Sequence, residues 1–179
     1  SLRWYKELIN NDAIMSALAV TLIVAVVSAV CATLIGTLAA IGIQSMKRKS
    51  LSAIMNFTYV PIVSPEIVMG VSLMLLFALF GMKSGMVTLV LAHITFNIPY
   101  VILSVMPKLR QMDKHLFDAA MDLGCTPAMA FVKVMLPEIM PGIVTGFLMA
   151  LTFSLDDFNV SYFESGDKFQ TLPILIYSM

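Results

Sequence analysis

Within Leu151–Val160, LTFSLDDFNV, two adjacent carboxylates, Asp156 and Asp157, stand in an otherwise apolar run. A charge near the middle of a bilayer costs about 2.5–3.5 kcal/mol on insertion scales, so acids kept in such a run need compensation. Glu66, in SPEIVMG, is a third acid in an apolar setting. Phe153, Phe158 and Tyr162 flank the aspartates, and Ser154 adds a neutral acceptor. Carboxylates take ammonium groups while rings take cation–π contacts and methylene stems, so the combination suits a flexible organic polycation. Two blander readings use the same residues: an acid at a helix end can sit in headgroup water, and a metal could be held if His93 joined the acids in space. Consecutive helical residues point about 100° apart. Asp156 and Asp157 therefore cannot both face one narrow path unless the helix unwinds there; one can face it while the other pairs with a neighbouring helix.

The elements that must position these groups are membrane helices. The chain is 59% hydrophobic and 12% charged, with a mean hydropathy of +0.92, outside the range of soluble domains of this length. A formal net charge of zero gives no footing for nucleic-acid binding. Four stretches reach the roughly 20 apolar residues a spanning helix needs, about 13–43, 51–80, 85–106 and 139–160. Pro61 and Pro65 in the second, and Pro99 and Pro107 toward the end of the third, predict bends there. Measured from Leu51 and from Pro141, Glu66 and Asp156 lie at a similar height, about 22 Å along their helices. On the third span His93, Asn97, Tyr100 and Ser104 form a polar stripe that should face the bundle interior, to line a path or to bond between helices. Ala25, Ala29, Ala32 and Gly36 in the first span, and Gly142 and Gly146 in the fourth, read as helix contacts.

Lysine and arginine orient the spans. Lys47, Arg48, Lys49, Lys108, Arg110, Lys114 and Lys133 lie on one side, and Arg3, Lys6, Lys83 and Lys168 on the other; seven against four puts the KRK loop and the 107–138 segment in the cytoplasm. Both chain ends then face outward, and the chain is expected to be a fragment that lacks a helix at each end. Trp4 and Tyr5, just before the first span, suit an interfacial aromatic belt or, for Trp4, a gate. No signal-peptide layout is present, the fifteen methionines are scattered, and Cys31 and Cys125 read as small residues.

In 107–138, Asp113 is placed to cap a helix from Lys114 to Leu123, Gly124 to end it, and Thr126 with Pro127 to start another. Leu116, Ala119, Ala120 and Leu123 share one face, with Asp118 and Asp122 across from them. Asp118-Ala119-Ala120, Gly124, Val134 and Leu136-Pro137 resemble, in type and spacing, the Glu-Ala-Ala loop of ABC importer permeases. SPEIVMGVSLMLLF, HITFNIPYVI, LDDFNVSYF and LPILIYSM extend the resemblance across nearly the whole chain, to permease subunits of bacterial spermidine/putrescine importers, inner-membrane components of binding-protein-dependent transport systems. Asp118 stands where that family has Glu, which keeps the charge and shortens the reach.

The resemblance implies an all-α membrane protein with the bundle of a type I ABC importer permease, four transmembrane helices present of an expected six, in a bacterial inner membrane. It implies a cytoplasmic coupling helix that docks on an ATPase dimer through Asp118, Ala119, Ala120, Gly124, Leu136 and Pro137. It further implies a second homologous permease, a periplasmic polyamine-binding protein and inward polyamine movement, with Glu66, Asp156, Asp157, Ser154, Phe153 and Trp4 as pathway residues. No cofactor is expected in this chain: it has no phosphate-cradling glycine-rich loop, so ATP belongs to the partner. A sister permease for ferric iron, thiamine or an aminophosphonate shares the coupling loop, and an ion-coupled secondary transporter could use the buried acids as a relay.

Overall fold

The computed structural model describes residues 10–166 and 169–178, apart from the Lys114 side chain. Among the described residues every regular element is helical. α1 (Asp12–Gln44), α2 (Arg48–Val63), α3 (Glu66–Leu79) and α4 (Met86–Gln111) are followed by a short α5 (Lys114–Asp122). α6 (Pro127–Ala130) runs through a π-helical turn, Phe131–Met135, into α7 (Leu136–Asp156); α8 (Asn159–Glu164) and α9 (Leu172–Ser178) complete the order.

α1, α4 and the α6–α7 helix are each long and apolar enough to cross a membrane. α1, α4 and α7 pack on one another as the central bundle. On α1 the large apolar side chains point outward, Leu34 and Leu38 being more than half exposed, whereas Ala25, Ala29, Ala32 and Ser28 are fully buried. This inverts the pattern of a soluble core, because lipid offers no hydrophobic drive and helices associate through close backbone approach instead. Glycines mark the closest points. A Cβ on Gly36 would stand 2.7 Å from Val101 Cβ, and one on Gly142 would stand 2.8 Å from the Ser104 carbonyl oxygen.

The second apolar stretch is not one straight span. α2 and α3 meet at Ser64–Pro65 at an angle of 107°, with Ser64 and Pro65 extended. Pro65 has no N–H to continue the ladder and pushes Ser64 out of helical geometry. α4, by contrast, passes through Pro99 and Pro107 to Gln111, further than its prolines predict. Val101, Ile102, Val105, Met106 and Leu109 are buried in the central bundle on either side of Pro107, and this packing holds the helix through the lost hydrogen bonds. The fourth stretch also differs from expectation: its helix begins at Pro127 rather than near residue 139, and stops at Asp156 rather than Val160. The segment between spans narrows accordingly from 107–138 to 112–126.

That segment folds as its capping residues predict. Asp113 Oδ1 accepts from the His115 amide at 2.9 Å, Gly124 ends α5 with φ +87°, and Thr126 Oγ1 accepts from the Met129 amide at 3.3 Å. α5 rests on α6 and the π turn. Of its apolar face Ala120 is buried, while Leu116 and Leu123 remain exposed. The π turn sits directly before Pro137, whose missing N–H already removes one rung of the α-ladder.

Candidate functional site

Two helix breaks face each other at the end of the bundle remote from α5. One is Ser64–Pro65; the other is Asp157–Phe158, where α7 stops and α8 begins. α3 packs on α8, and this brings the breaks together. The contact requires Gly70: a Cβ there would lie 2.8 Å from Phe163 Cδ2 and 3.2 Å from the Asn159 carbonyl oxygen. Asn159 Nδ2 also donates to Glu66 Oε2 at 2.7 Å, tying the first turn of α3 to the first turn of α8.

Between the breaks lies a cavity of about 340 Å³. Glu66, Asp156 and Asp157 line it together with Ser64, Phe96, Tyr100 and Phe153, and among the described residues no lysine or arginine does. Tyr100 from α4 and Phe153 from α7 pack as a tilted pair with ring centroids 4.5 Å apart, forming an aromatic wall. Three acids, rings and no basic residue make a space suited to cations.

The adjacent aspartates have different surroundings. Asp157 turns back over the start of α8: Oδ1 accepts from the Val160 amide at 3.2 Å and Oδ2 from the Ser161 amide at 2.7 Å. It thereby satisfies amides that a helix start leaves unpaired. Its side chain is only 6% exposed, and His93 Nε2 lies 3.6 Å from Oδ2 while sharing a 3.1 Å hydrogen bond with Ser161 Oγ. Asp156 is exposed and makes no hydrogen bond or ion pair among the described residues. α7 ends between them, and both carboxylates line the one cavity.

The other sequence-predicted groups separate. Phe153 is in the cavity wall. Ser154 is buried and outside it, bonded to Ser28 Oγ at 3.1 Å and receiving Asn97 Nδ2 at 2.7 Å. Trp4 lies outside the described residues. The α4 stripe divides the same way: His93 and Asn97 bond between helices, Tyr100 faces the cavity, and Ser104 donates to the Tyr100 carbonyl at 2.8 Å. Asp118, Ala119, Ala120, Gly124, Leu136 and Pro137 are all at the α5 end, far along the bundle from the cavity.

Sequence reasoning missed Asn159, which holds Glu66, and Ser161, which holds His93. It also missed Glu164, whose carboxylate is fully buried without a hydrogen-bond donor among the described residues. The Glu164 carbonyl accepts from the Gly85 amide at 2.9 Å and from Thr88 Oγ1 at 3.2 Å, which anchors the start of α4 to the end of α8. A readable signal existed for Asp157: an Asp three to four residues ahead of Val160-Ser161 is a helix-start pattern.

Residues 32–177 match the family described as binding-protein-dependent transport system inner membrane component. The chain is 40% identical over 185 residues to the putrescine transport system permease protein PotI of Escherichia coli (strain K12), a match covering 99% of this chain and 66% of that protein. It is 38% identical to the spermidine/putrescine transport system permease protein PotC of the same strain, over 99% of this chain and 67% of PotC. Against PotC of Haemophilus influenzae the identity is 37%, over 100% of this chain and 70% of the relative. The chain thus spans about two thirds of the length of the curated relatives it matches.

Proposed function

Because this chain belongs to the binding-protein-dependent transport system inner membrane components, we propose that it serves as the permease subunit of an ABC importer and passes polyamines inward. The observation that carries the substrate class is the cavity: Glu66 and Asp156 on opposed helix breaks, an aromatic wall between them, and no basic residue in the lining among the described residues. The names of the relatives point to the same amines.

In this reading an ammonium group meets Asp156 and a second meets Glu66, whose Oε2 holds Asn159; among the described residues neither Asp156 nor Glu66 Oε1 has a competing partner. Methylene stems lie on Tyr100 and Phe153, where cation–π attraction adds to the charge term. Asp157 is a positioning residue: its oxygens are committed to the α8 amides, so it keeps the break open and lends negative potential to the cavity.

Energy comes from outside the chain. Two ATPase subunits dock in the cytoplasm on α5, where Leu116 and Leu123 are exposed beside Asp118. Their closure moves α5, the movement passes through α6 and the π turn to α7, and α7 carries Asp156 at its far end. A second homologous permease completes the path and a periplasmic receptor delivers the amine.

The test is radiolabelled spermidine and putrescine uptake by the complete transporter in cells without other polyamine importers. Asp156→Asn keeps the shape and removes the charge. Losing one charge-assisted contact should lower uptake roughly tenfold to a hundredfold with the protein still in the membrane. Undiminished uptake would move recognition away from this cavity.

A further inference from the structure

A second cavity opens on the other side of Asp156. It measures about 370 Å³ and lies between the last turn of α7 and α9, lined by Leu155, Asp156, Phe158, Pro173, Ile176 and Tyr177. Asp156 is the residue common to both cavities. Among the described residues the second one has a single charge and an aromatic flank: the Phe158 and Tyr177 ring centroids are 4.7 Å apart, and Tyr162 stands 5.6 Å from Phe158. α9 is held in place by the Leu172 amide, which donates to Thr21 Oγ1 of α1 at 2.8 Å.

This arrangement distinguishes amines by their number of charges. In the first cavity Glu66 and Asp156 offer two carboxylate positions, which satisfies a diamine. A triamine whose central ammonium sits on Asp156 has an arm left over, and the first cavity offers no third uncommitted carboxylate for it, because both Asp157 oxygens hold the α8 amides. The ring-lined space across Asp156 accepts an alkyl arm along Phe158 and an ammonium over the exposed face of Tyr177, which is at the mouth. We propose that this second cavity is a triamine subsite and that Phe158 and Tyr177 set the preference for triamines over diamines. The proposal rests on the polyamine reading above and adds the specificity that reading leaves open.

The experiment measures uptake from an equimolar mixture of differently labelled spermidine and putrescine by the complete transporter. Tyr177→Ala removes an exposed ring and leaves the bundle untouched; Ile176→Trp, at another exposed position, fills the cavity. Each should lower the spermidine-to-putrescine uptake ratio about two- to fivefold, the size expected for one cation–π contact at an exposed ring. Tyr177→Phe keeps the ring and should keep the wild-type ratio. An unchanged ratio in Tyr177→Ala and Ile176→Trp, or equal losses for both amines, overturns the subsite while leaving the permease reading intact. Wild-type transport of neither amine overturns the polyamine reading, and the subsite with it.

Discussion

The two helix breaks that frame the cavity are built by opposite means. At Ser64–Pro65 the backbone cannot continue: proline has no amide to donate, and the chain turns through 107°. At Asp157–Phe158 no proline or glycine intervenes, and nothing in the backbone forbids the helix from running on. A side chain ends it, because the Asp157 carboxylate takes the Val160 and Ser161 amides and makes a new helix start the better arrangement. The first break is imposed by what the chain lacks and the second by a bond it makes. They should therefore respond differently to substitution, and the contact between them should matter more than either.

Forcing the breaks apart should have the largest effect. Gly70 is where α3 meets α8, and any Cβ there collides with Phe163 and the Asn159 backbone. Gly70→Val leaves every acid in place and separates the elements that bring them together. Overpacking of this kind costs about 1–3 kcal/mol, and displacement of α3 would part Glu66 from Asn159. Uptake of both polyamines should fall by more than an order of magnitude, by the measure that a misplacement near 1 Å can cost about a hundredfold. Crosslinking between cysteines replacing Ile67 and Tyr162 would report the separation; unchanged crosslinking with unchanged uptake would mean the two breaks do not act as a unit.

Asp157→Ala comes next and probes the capped break alone. Removing the carboxylate leaves the Val160 and Ser161 amides without their partner in a nearly buried place. The loss should be about 2 kcal/mol of resistance to thermal unfolding in detergent, the combined scale of a helix cap and a charged buried hydrogen bond. Asn is also a good cap, so Asp157→Asn should recover most of that stability. Asp156→Asn should leave unfolding unaltered while lowering uptake. If Asp156 and Asp157 substitutions gave the same pattern in both assays, the division of labour between the adjacent acids would be wrong.

The contrast also explains what could be read in advance. Prolines announce themselves, so a bend at Pro61 or Pro65 was visible, as were Asp113, Gly124 and Thr126 around α5, where local capping chemistry decides the structure. The small-residue faces of α1 and α7 were equally legible, because close helix packing in lipid needs them. Pro99 and Pro107 misled in the other direction: packing against α1 and α7 overrode the local signal and carried α4 to Gln111. The Asp157 break was hidden by hydropathy, since an apolar count over 139–160 runs straight through a bond made by one side chain. That Ser154 and Asn97 would pair with each other outside the cavity depends on contacts between residues far apart in sequence. Asn159, 93 positions from Glu66, is the clearest instance.

Pro65→Ala should have the smallest effect, and it asks whether the proline break still needs its proline. Restoring an N–H at residue 65 lets α2 and α3 join into one helix, and alanine relieves the constraint on Ser64. The Asn159 hydrogen bond to Glu66 and the packing of α3 on α8 oppose straightening, whereas the Ser64 bonds to the Val60 carbonyl, running from i to i−4, would persist in a continuous helix. To straighten, α3 would have to leave α8, opening the close approach at Gly70 and exposing backbone and buried apolar surface together. The gain from one additional helical hydrogen bond is about 1 kcal/mol, less than those contacts are worth combined. Spin labels at residues 55 and 75 should then report the wild-type distance in Pro65→Ala, with uptake reduced no more than about threefold, the equivalent of a fraction of a kcal/mol. A lengthened distance would show that proline alone maintains the bend, and that the facing break, capped by Asp157, contributes nothing to holding its counterpart.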